Sequence, residues 1–197
     1  GLSPKAGETL NSQRLQEADF TLRGAAYDVE SGLSEVQIRL DGQEVSSRRF
    51  LARLQDGLET EAARDIGDIA YVPQNLTDGE HLLTIYARDK SGNQQTANSS
   101  FLVDMKTERP VFDVVSSVVN QRVITLSGQA EAGSKVSLYV NGKPVGVVMA
   151  DEGGRFSQDG VGLIEGENQF SGVATDLAGN ISSKSAVRNL LLDVRSP

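Results

Sequence analysis

The segment LTDGEHLLTIYARDKSGN (76–93) decides the fold, because it occurs a second time as LIEGENQFSGVATDLAGN (163–180). The two copies align without a gap at an offset of 163 − 76 = 87 residues. Upstream, VQIRLDGQEV (36–45) aligns with VSLYVNGKPV (136–145) at an offset of 100 residues. Both pairs keep the same order along the chain, so the sequence predicts one fold that is present twice.

The two offsets differ by 100 − 87 = 13 residues, which places an insertion in the first copy within 46–72. The spacing of Phe50, Leu54 and Leu58 in this insertion would also suit a helix, and periodicity alone leaves helix and strand open. We expect a longer pair of strands joined by a wide loop, because the matching segment of the second copy is too short for a helix and a strand.

Apolar and polar residues alternate in both upstream segments. In EVQIRLDG (35–42) every second residue is apolar, and KVSLYVNG (135–142) repeats this pattern. A period of two is typical of a strand with one buried face. The segments end in Asp-Gly (41–42) and Asn-Gly (141–142), which accept the two positive φ angles of a type I′ turn, so each begins a β-hairpin.

These signals together predict an all-β chain of two tandem, immunoglobulin-like antiparallel β-sandwiches. The segment FLVDMKTERP (101–110) runs from a strand through charged residues to a proline and is expected to be the linker. We therefore place the domains at 1–107 and 108–197. Further strands are predicted at 18–27, 96–104, 122–130 and 185–194.

Composition excludes several classes of function. The 197 residues suit two domains, and the formal charge of −8 repels phosphate backbones, so no nucleic-acid partner is expected. The absence of cysteine excludes disulfides, zinc sites with thiolate ligands and thiol nucleophiles. No apolar run approaches the ~18 residues that span a bilayer, so no membrane insertion is expected.

The segment GAAYDVESGLSEVQIRLDG (24–42), with its Asp-x-x-Ser-Gly corner, resembles the passage from the B strand to the C strand of bacterial immunoglobulin-like domains. The segment 76–93, followed by FLVD (101–104), resembles their F–G hairpin and exit strand. In the second copy, LSGQAEAGSKVSLYVNGKPVG (126–146) is similar to a subgroup that also occurs beside glycoside hydrolase catalytic domains. The resemblance covers nearly the whole chain apart from 46–72.

This resemblance implies a non-enzymatic spacer or interaction module of a larger exported bacterial protein, such as a surface stalk or an adhesin. The alternative is an accessory or ligand-binding module of a secreted carbohydrate-active enzyme. Either role implies an extracellular, cell-surface or periplasmic location and a possible protein or glycan partner. The resemblance carries over no catalytic residue and no cofactor.

His81 is the one histidine, so a Ser-His-Asp or histidine–metal site would have to use it. Its counterpart in the second copy is Asn168, at the same place near the start of a strand. A position that holds His in one copy and Asn in the other is best explained by a hydrogen bond to a neighbouring loop. We therefore predict a structural role for His81.

Two pairs of carboxylates offer the minimum for a glycosidase, Asp65 with Asp68 and Asp28 with Glu30. All four are expected in loop-like segments without a deep cleft. Sugar subsites usually need an aromatic platform, but the chain has no Trp and its four tyrosines are scattered over both copies. We predict no catalytic residue among these side chains.

A basic run, Arg48, Arg49 and Arg53 with Arg64, lies inside the insertion. The favoured interpretation is a solvated edge strand that is protected by charge. A docking surface for an acidic partner is the alternative, and it makes the insertion the first place to look for a site specific to this chain.

The pentads DKSGN (89–93) and DLAGN (176–180) could form a calcium loop or a turn. An EF-hand-type loop that starts at Asp89 needs Gly at position 6, where this chain has Gln94. A turn accounts for every residue: the Asp accepts N–H bonds from the next two residues, the Gly is left-handed and the Asn ties the return strand. We predict this turn in both copies.

The resemblance leaves one metal site open. Surface arrays of this kind are often stiffened by calcium at domain junctions, and Asp104 with neighbouring loop acids could supply such a site. Apart from this alternative, the sequence predicts no metal ligand.

Overall fold

The computed structural model describes residues 2–17, 20–28, 32–49, 65–113 and 116–195. The chain divides into two compact units, Gly1–Met105 and Lys106–Pro197. In the described ranges, no helix has the length and apolar character needed to cross a membrane.

The elements of the first unit are β1 (Thr9–Asn11), α1 (Ser12–Leu15), β2 (Leu22–Asp28), β3 (Leu33–Leu40), β4 (Gln43–Arg49), β5 (Asp65–Tyr71), β6 (Gly79–Asp89) and β7 (Gln94–Asp104). A five-stranded sheet, in the order β1-β7-β6-β3-β4, packs against a two-stranded sheet of β2 and β5. Pairing is antiparallel except between β1 and β7, which run parallel.

The second unit repeats this arrangement. Its strands are β8 (Val111–Phe112), β9 (Val118–Val119), β10 (Val123–Gln129), β11 (Lys135–Val140), β12 (Lys143–Met149), β13 (Arg155–Gly162), β14 (Gly166–Thr175) and β15 (Arg188–Leu192). The five-stranded sheet has the order β12-β11-β14-β15-β9, with β9 and β15 parallel, and the other sheet has the order β13-β10-β8.

Strand by strand, the five-stranded sheets of the two units match, with β1, β7, β6, β3 and β4 replaced by β9, β15, β14, β11 and β12. The predicted pair of immunoglobulin-like sandwiches is therefore confirmed. Strand β13, the short parallel strands β1 and β9, the short strand β8 and the one-turn helix α1 were not predicted from the sequence.

The period-two pattern gives the core of each unit. Val36 and Ile38 of β3 are fully buried together with Leu83 of β6, and the second unit buries Val136 and Leu138 in the same way. These side chains pack against apolar residues of the opposite sheet. The buried cluster of the first unit comprises Leu10, Phe20, Leu22, Leu33, Val36, Ile38, Ile69, Leu83, Ile85, Phe101 and Val103.

Both predicted hairpin turns are present. The φ angles are 51° at Asp41 and 80° at Gly42, and 50° at Asn141 and 78° at Gly142. Positive φ at both central residues is the signature of a type I′ turn, whose twist matches that of the flanking strands.

The insertion begins and ends with strand. Two strands are present as expected, but they lie in different sheets: β4 pairs with β3 and β5 pairs with β2, so they do not form a pair with each other. Residues 50–64, where the wide loop or the alternative helix was expected, lie outside the described residues.

The strand predicted at 185–194 is shorter than expected. Ser182 exchanges two bonds with Ala174: its N–H donates to the Ala174 carbonyl and its Oγ accepts from the Ala174 N–H, both at 2.9 Å. Ser185 does the same with Gly172, at 2.8 and 2.9 Å. The hydroxyl oxygens of Ser182 and Ser185 thus accept the hydrogen bonds that the carbonyl oxygens of a regular strand would accept. Regular strand pairing therefore starts only at β15.

Glycine is required at one position in each of the equivalent strands β2 and β10, because neighbouring atoms leave no room for a Cβ. A Cβ on Gly128 of β10 would overlap the carbonyl oxygen of Val111 and approach Cζ of Phe156 to 2.6 Å. Gly24, in the corresponding strand β2, would overlap the side chain of Ile85 in the same way. The close approach at Gly128 involves backbone and cannot be relieved by a side-chain rotation.

We expect Gly128→Ala to destabilise the second unit by about 2 kcal/mol or more, because the added methyl overpacks a backbone contact. Gly162→Ala is the matched control, since its Cβ would meet no atom within 4 Å, and it should cost less than about 0.5 kcal/mol. Urea unfolding of both variants measures the difference. Equal effects would show that the close approach at Gly128 is not needed.

Candidate functional site

His81, the first candidate for chemistry, is buried and bonded through both ring nitrogens. Nδ1 lies 2.7 Å from Oδ2 of Asp41, and Nε2 lies 2.8 Å from the carbonyl oxygen of Thr77. The ring also stacks on Phe101, with 5.5 Å between the centroids. Both neighbours of the ring nitrogens are acceptors, so the protonated imidazole, which donates from both nitrogens, fits this position best.

Asn168 makes the equivalent contacts in the second unit. Its Oδ1 accepts from Nδ2 of Asn141 at 3.1 Å, and its Nδ2 donates to the carbonyl oxygen of Ile164 at 2.7 Å. Thr77 and Ile164 stand at the offset of 87 residues that relates the two copies. The predicted hydrogen bond from this position to a neighbouring loop is therefore present in both units.

The turn residue completes the arrangement. Oδ1 of Asp41 accepts from the N–H of Leu82 at 2.8 Å, and Oδ1 of Asn141 accepts from the N–H of Gln169 at 2.8 Å. We call these contacts the turn clasp. It comprises Asp41, His81 and Leu82 in the first unit, and Asn141, Asn168 and Gln169 in the second.

The contact between the turn residue and His81 or Asn168 was not predicted from the sequence, although the alignment of the two copies contains a signal for it. Both of its polar positions change together, from Asp41 with His81 to Asn141 with Asn168. An ion pair in one copy and an amide pair in the other is the exchange expected of residues in contact.

The charges of the first clasp stabilise each other. Burial alone lowers the pKa of His81, but the hydrogen bonds to the Thr77 carbonyl and to Asp41, together with the charge of Asp41, raise it above its ordinary 6.5. Burial alone raises the pKa of Asp41, whereas the bonds from the Leu82 N–H and His81, with the charge of His81, bring it below 3.8. The pair therefore contributes most to stability between these two ordinary values.

We expect the first unit to lose stability as pH rises above 6.5 and through the raised pKa of His81. The raised pKa of His81 means that its contribution is complete below 6.5 and is lost as pH rises through the folded-state pKa. Since the Asp41 side chain is 47% exposed, the loss should be about 1 kcal/mol or less. Melting temperature measured against pH tests this.

The double variant Asp41→Asn with His81→Asn is the control, because it rebuilds the amide pair of the second unit. Its stability should not change over this range, since the chain then has no histidine. A slope that persists in the double variant would show that another group is responsible.

The two pentads form the same turn. Asp89 and Asp176 each donate their N–H to the carbonyl of the Asn four residues later, at 3.0 and 3.1 Å. Their Oδ1 atoms accept from the N–H of the same Asn at 2.8 Å in both units. Gly92 and Gly179 have φ angles of 95° and 93°. The predicted turn is confirmed, and Oδ1 of each Asp also accepts from the N–H of the fourth residue onward.

We expect Asp176→Ala to destabilise the chain by about 2 kcal/mol, because it leaves the buried N–H of Asn180 without its carboxylate acceptor. Asp89→Ala should cost about 1 kcal/mol, because its partner Asn93 is exposed and water replaces the lost bond. Denaturant unfolding compares the two variants, and a larger loss for Asp89→Ala would contradict the burial argument.

The carboxylate pairs are placed differently from the expectation. Asp65 and Asp68 lie in strand β5, whereas loops were predicted, and Asp28 ends β2 directly opposite Asp65. Oδ1 of Asp28 accepts from the N–H of Gly32 at 2.7 Å, as a turn residue does. Asp68 is exposed. Glu30 lies outside the described residues.

Arg48 and Arg49 lie at the end of the edge strand β4, as the charged-edge interpretation predicted. Nε of Arg49 is 3.5 Å from Oε1 of Glu35, and Nη1 of Arg48 is 3.5 Å from the carbonyl oxygen of Asp68. Arg53 and Arg64 lie outside the described residues. The alternative of a docking surface for an acidic partner stays a prediction.

Asp104 ends β7, where it is paired with Asn11 of β1. The junction calcium site that uses Asp104 stays a prediction. A comparison of melting temperature in about 1 mM calcium and in excess chelator tests it, because an ion that binds only the folded state raises the melting temperature.

Comparison with known proteins supports the fold. No protein-family model and no curated protein sequence matches the chain. A 1.5-MDa bacterial ice-binding adhesin is similar in structure, with a TM-score of 0.50 and 18% identity over 94% of this chain and 61% of that chain. This chain thus spans less than two thirds of that adhesin structure, and the likeness bears on the fold alone.

Two further solved structures are more distant. The fibronectin(III)-like modules of Clostridium thermocellum CbhA have a TM-score of 0.43 and 16% identity, over 98% of this chain and 93% of that chain. The tetra-tandem repeat in the extending region of a large adhesion protein has a TM-score of 0.41 and 18% identity, over 89% of this chain and 50% of that chain.

Proposed function

We propose that the chain is a non-enzymatic tandem immunoglobulin-like module, a spacer or interaction segment of a larger exported bacterial protein such as a surface stalk or an adhesin. The observation that carries the proposal is the turn clasp. His81, the one histidine, has both ring nitrogens engaged by Asp41 and Thr77, and amides perform the same task in the second unit. Because the amide of Asn168 makes the equivalent bonds in the second unit, we infer that His81 has a structural role.

The other candidate groups support the same proposal. The acidic pentad residues Asp89 and Asp176 hold turns, and Asp28 bonds the backbone of Gly32. These carboxylates are therefore engaged in backbone geometry. We also propose domain limits of 1–107 and 108–197, close to the limits of the two compact units.

A spacer depends on its length and rigidity more than on particular surface residues. We expect the parent protein to keep its function when this tandem is exchanged for two successive copies of 106–197, which preserve the repeat but remove every feature specific to the first unit. Surface binding or adhesion by the parent protein measures the outcome. Loss of function with normal folding and export would instead assign a ligand site to the first unit.

Catalysis by the chain itself is tested directly. We expect no hydrolysis of glycans by the purified chain. Activity that disappears in Asp68→Asn, but not in Asp159→Asn on the exposed surface of the second unit, would overturn the proposal.

The alternative role, an accessory module of a secreted carbohydrate-active enzyme, has one structural observation in its favour. Tyr27 is 77% exposed on the two-stranded sheet, with Arg23 and Ala25 on the same face of β2. An exposed aromatic ring can stack on a sugar. Glycan binding that is abolished by Tyr27→Ala and retained in Tyr86→Ala would favour this role, as would a hydrolase domain next to the tandem in the parent gene.

A further inference from the structure

Strand β12 is an edge strand of the five-stranded sheet in the second unit, and its exposed side chains from Val145 to Met149 are apolar. Val147 is 54% exposed and Met149 is 60% exposed. Their register partners in β11 are Ser137 and Lys135, whereas Val148, between them, is paired with the buried Val136. Val147 and Met149 therefore lie side by side on the outer face of the sheet, at an edge where no other strand of the described residues pairs with β12.

The first unit provides an internal comparison, because β4 occupies the same edge. Its sequence is QEVSSRR, with exposed Glu44, Arg48 and Arg49. Charged side chains on an edge prevent the strand from pairing with another chain. Strand β12, KPVGVVM, has no charge after Lys143. In β12 the protection by Lys143, Pro144 and the adjacent bulge ends before Val147, whereas the equivalent edge of the first unit carries arginines to its end.

We propose that β12 pairs antiparallel with β12 of a second copy of this chain, about a two-fold axis at Val147. Such an interface is self-complementary, because each strand presents the same apolar side chains to the other. In this pairing, Lys143 at the start of one β12 lies near the end of the partner's β12, where Asp151 and Glu152 follow the strand. A parallel pairing would instead place Lys143 beside Lys143, which costs energy by repulsion.

The register gives a distance that can be measured. Residues directly opposite in an antiparallel pair have Cβ atoms about 5 Å apart, close to the reach of a disulfide. With the axis at Val147, the two Val147 side chains are opposite each other. The two Met149 side chains are then displaced by four residues, which is about 13 Å along the strand.

The chain contains no cysteine, so a single introduced cysteine reports its own contacts. Val147→Cys should form a disulfide-linked dimer under mild oxidation at least about tenfold faster than Val123→Cys, because the contact raises the local thiol concentration. Val123 is a matched control, being 55% exposed on β10, which lies in the middle of its sheet. Met149→Cys should cross-link as slowly as Val123→Cys. A non-reducing gel gives the rates.

Sedimentation of the intact chain measures the association itself. The wild type should show a concentration-dependent dimer, and Val147→Lys should raise its dissociation constant by about tenfold or more, because two charges then meet at the axis. Lys143→Glu should weaken the dimer, because in this register a Glu at position 143 lies opposite the acidic Asp151 of the partner strand. Val123→Lys should leave it unchanged.

Several outcomes would overturn the proposal. A wild type that stays monomeric at all concentrations excludes pairing with a second copy and leaves the edge to a different protein. Equal cross-linking of the three cysteine variants excludes the register, and a dimer that survives Val147→Lys excludes this strand. Circular dichroism of each variant checks that it folds.

Discussion

The side chain of the first turn residue holds the central hairpin of each unit to the next strand. Asp41 and Asn141 have positive φ, and in both units Oδ1 accepts from the N–H of a strand residue, Leu82 or Gln169, at 2.8 Å. The turn residue also donates its own N–H to that strand. A one-residue slip of the strand would break these bonds and turn the buried face toward water, so the clasp and the core require the same register.

The same geometry is built from two kinds of chemistry. The first unit uses an ion pair, Asp41 with His81, and the second uses two amides, Asn141 with Asn168. Charges add pH dependence without altering where the strands lie. The duplication therefore separates what the fold requires at this position, a donor and an acceptor in reach of the turn, from what each copy has acquired on its own.

Much of the fold could be predicted from the sequence, because its signals are local or repeated. Alternating residues predicted most of the long strands, with β13 as an exception, and Asp-Gly and Asn-Gly predicted the turns. Strands of two or three residues, such as β9 and β1, are too short to show a period. Ser182 and Ser185 replace strand carbonyls through their hydroxyls, which no hydropathy pattern reveals. Asp65 and Asp68 suggested a loop because Asp is rare in strands, yet pairing with β2 overrides that preference. The hydrogen bond from His81 to a neighbouring loop could be predicted only because its counterpart is Asn168.

The parallel strands at the ends of each unit have a mechanical consequence. Thr9–Asn11 runs beside Leu102–Asp104 in the same direction, and Val118–Val119 runs beside Leu191–Leu192. Tension applied to the two ends of such a unit pulls these strands in opposite directions along their own axes. The hydrogen bonds between them are then loaded in shear and all at once, whereas a hairpin opened from its free end loses its bonds one after another. A unit pulled in this way is held by a short ladder whose rupture governs the rate of forced unfolding.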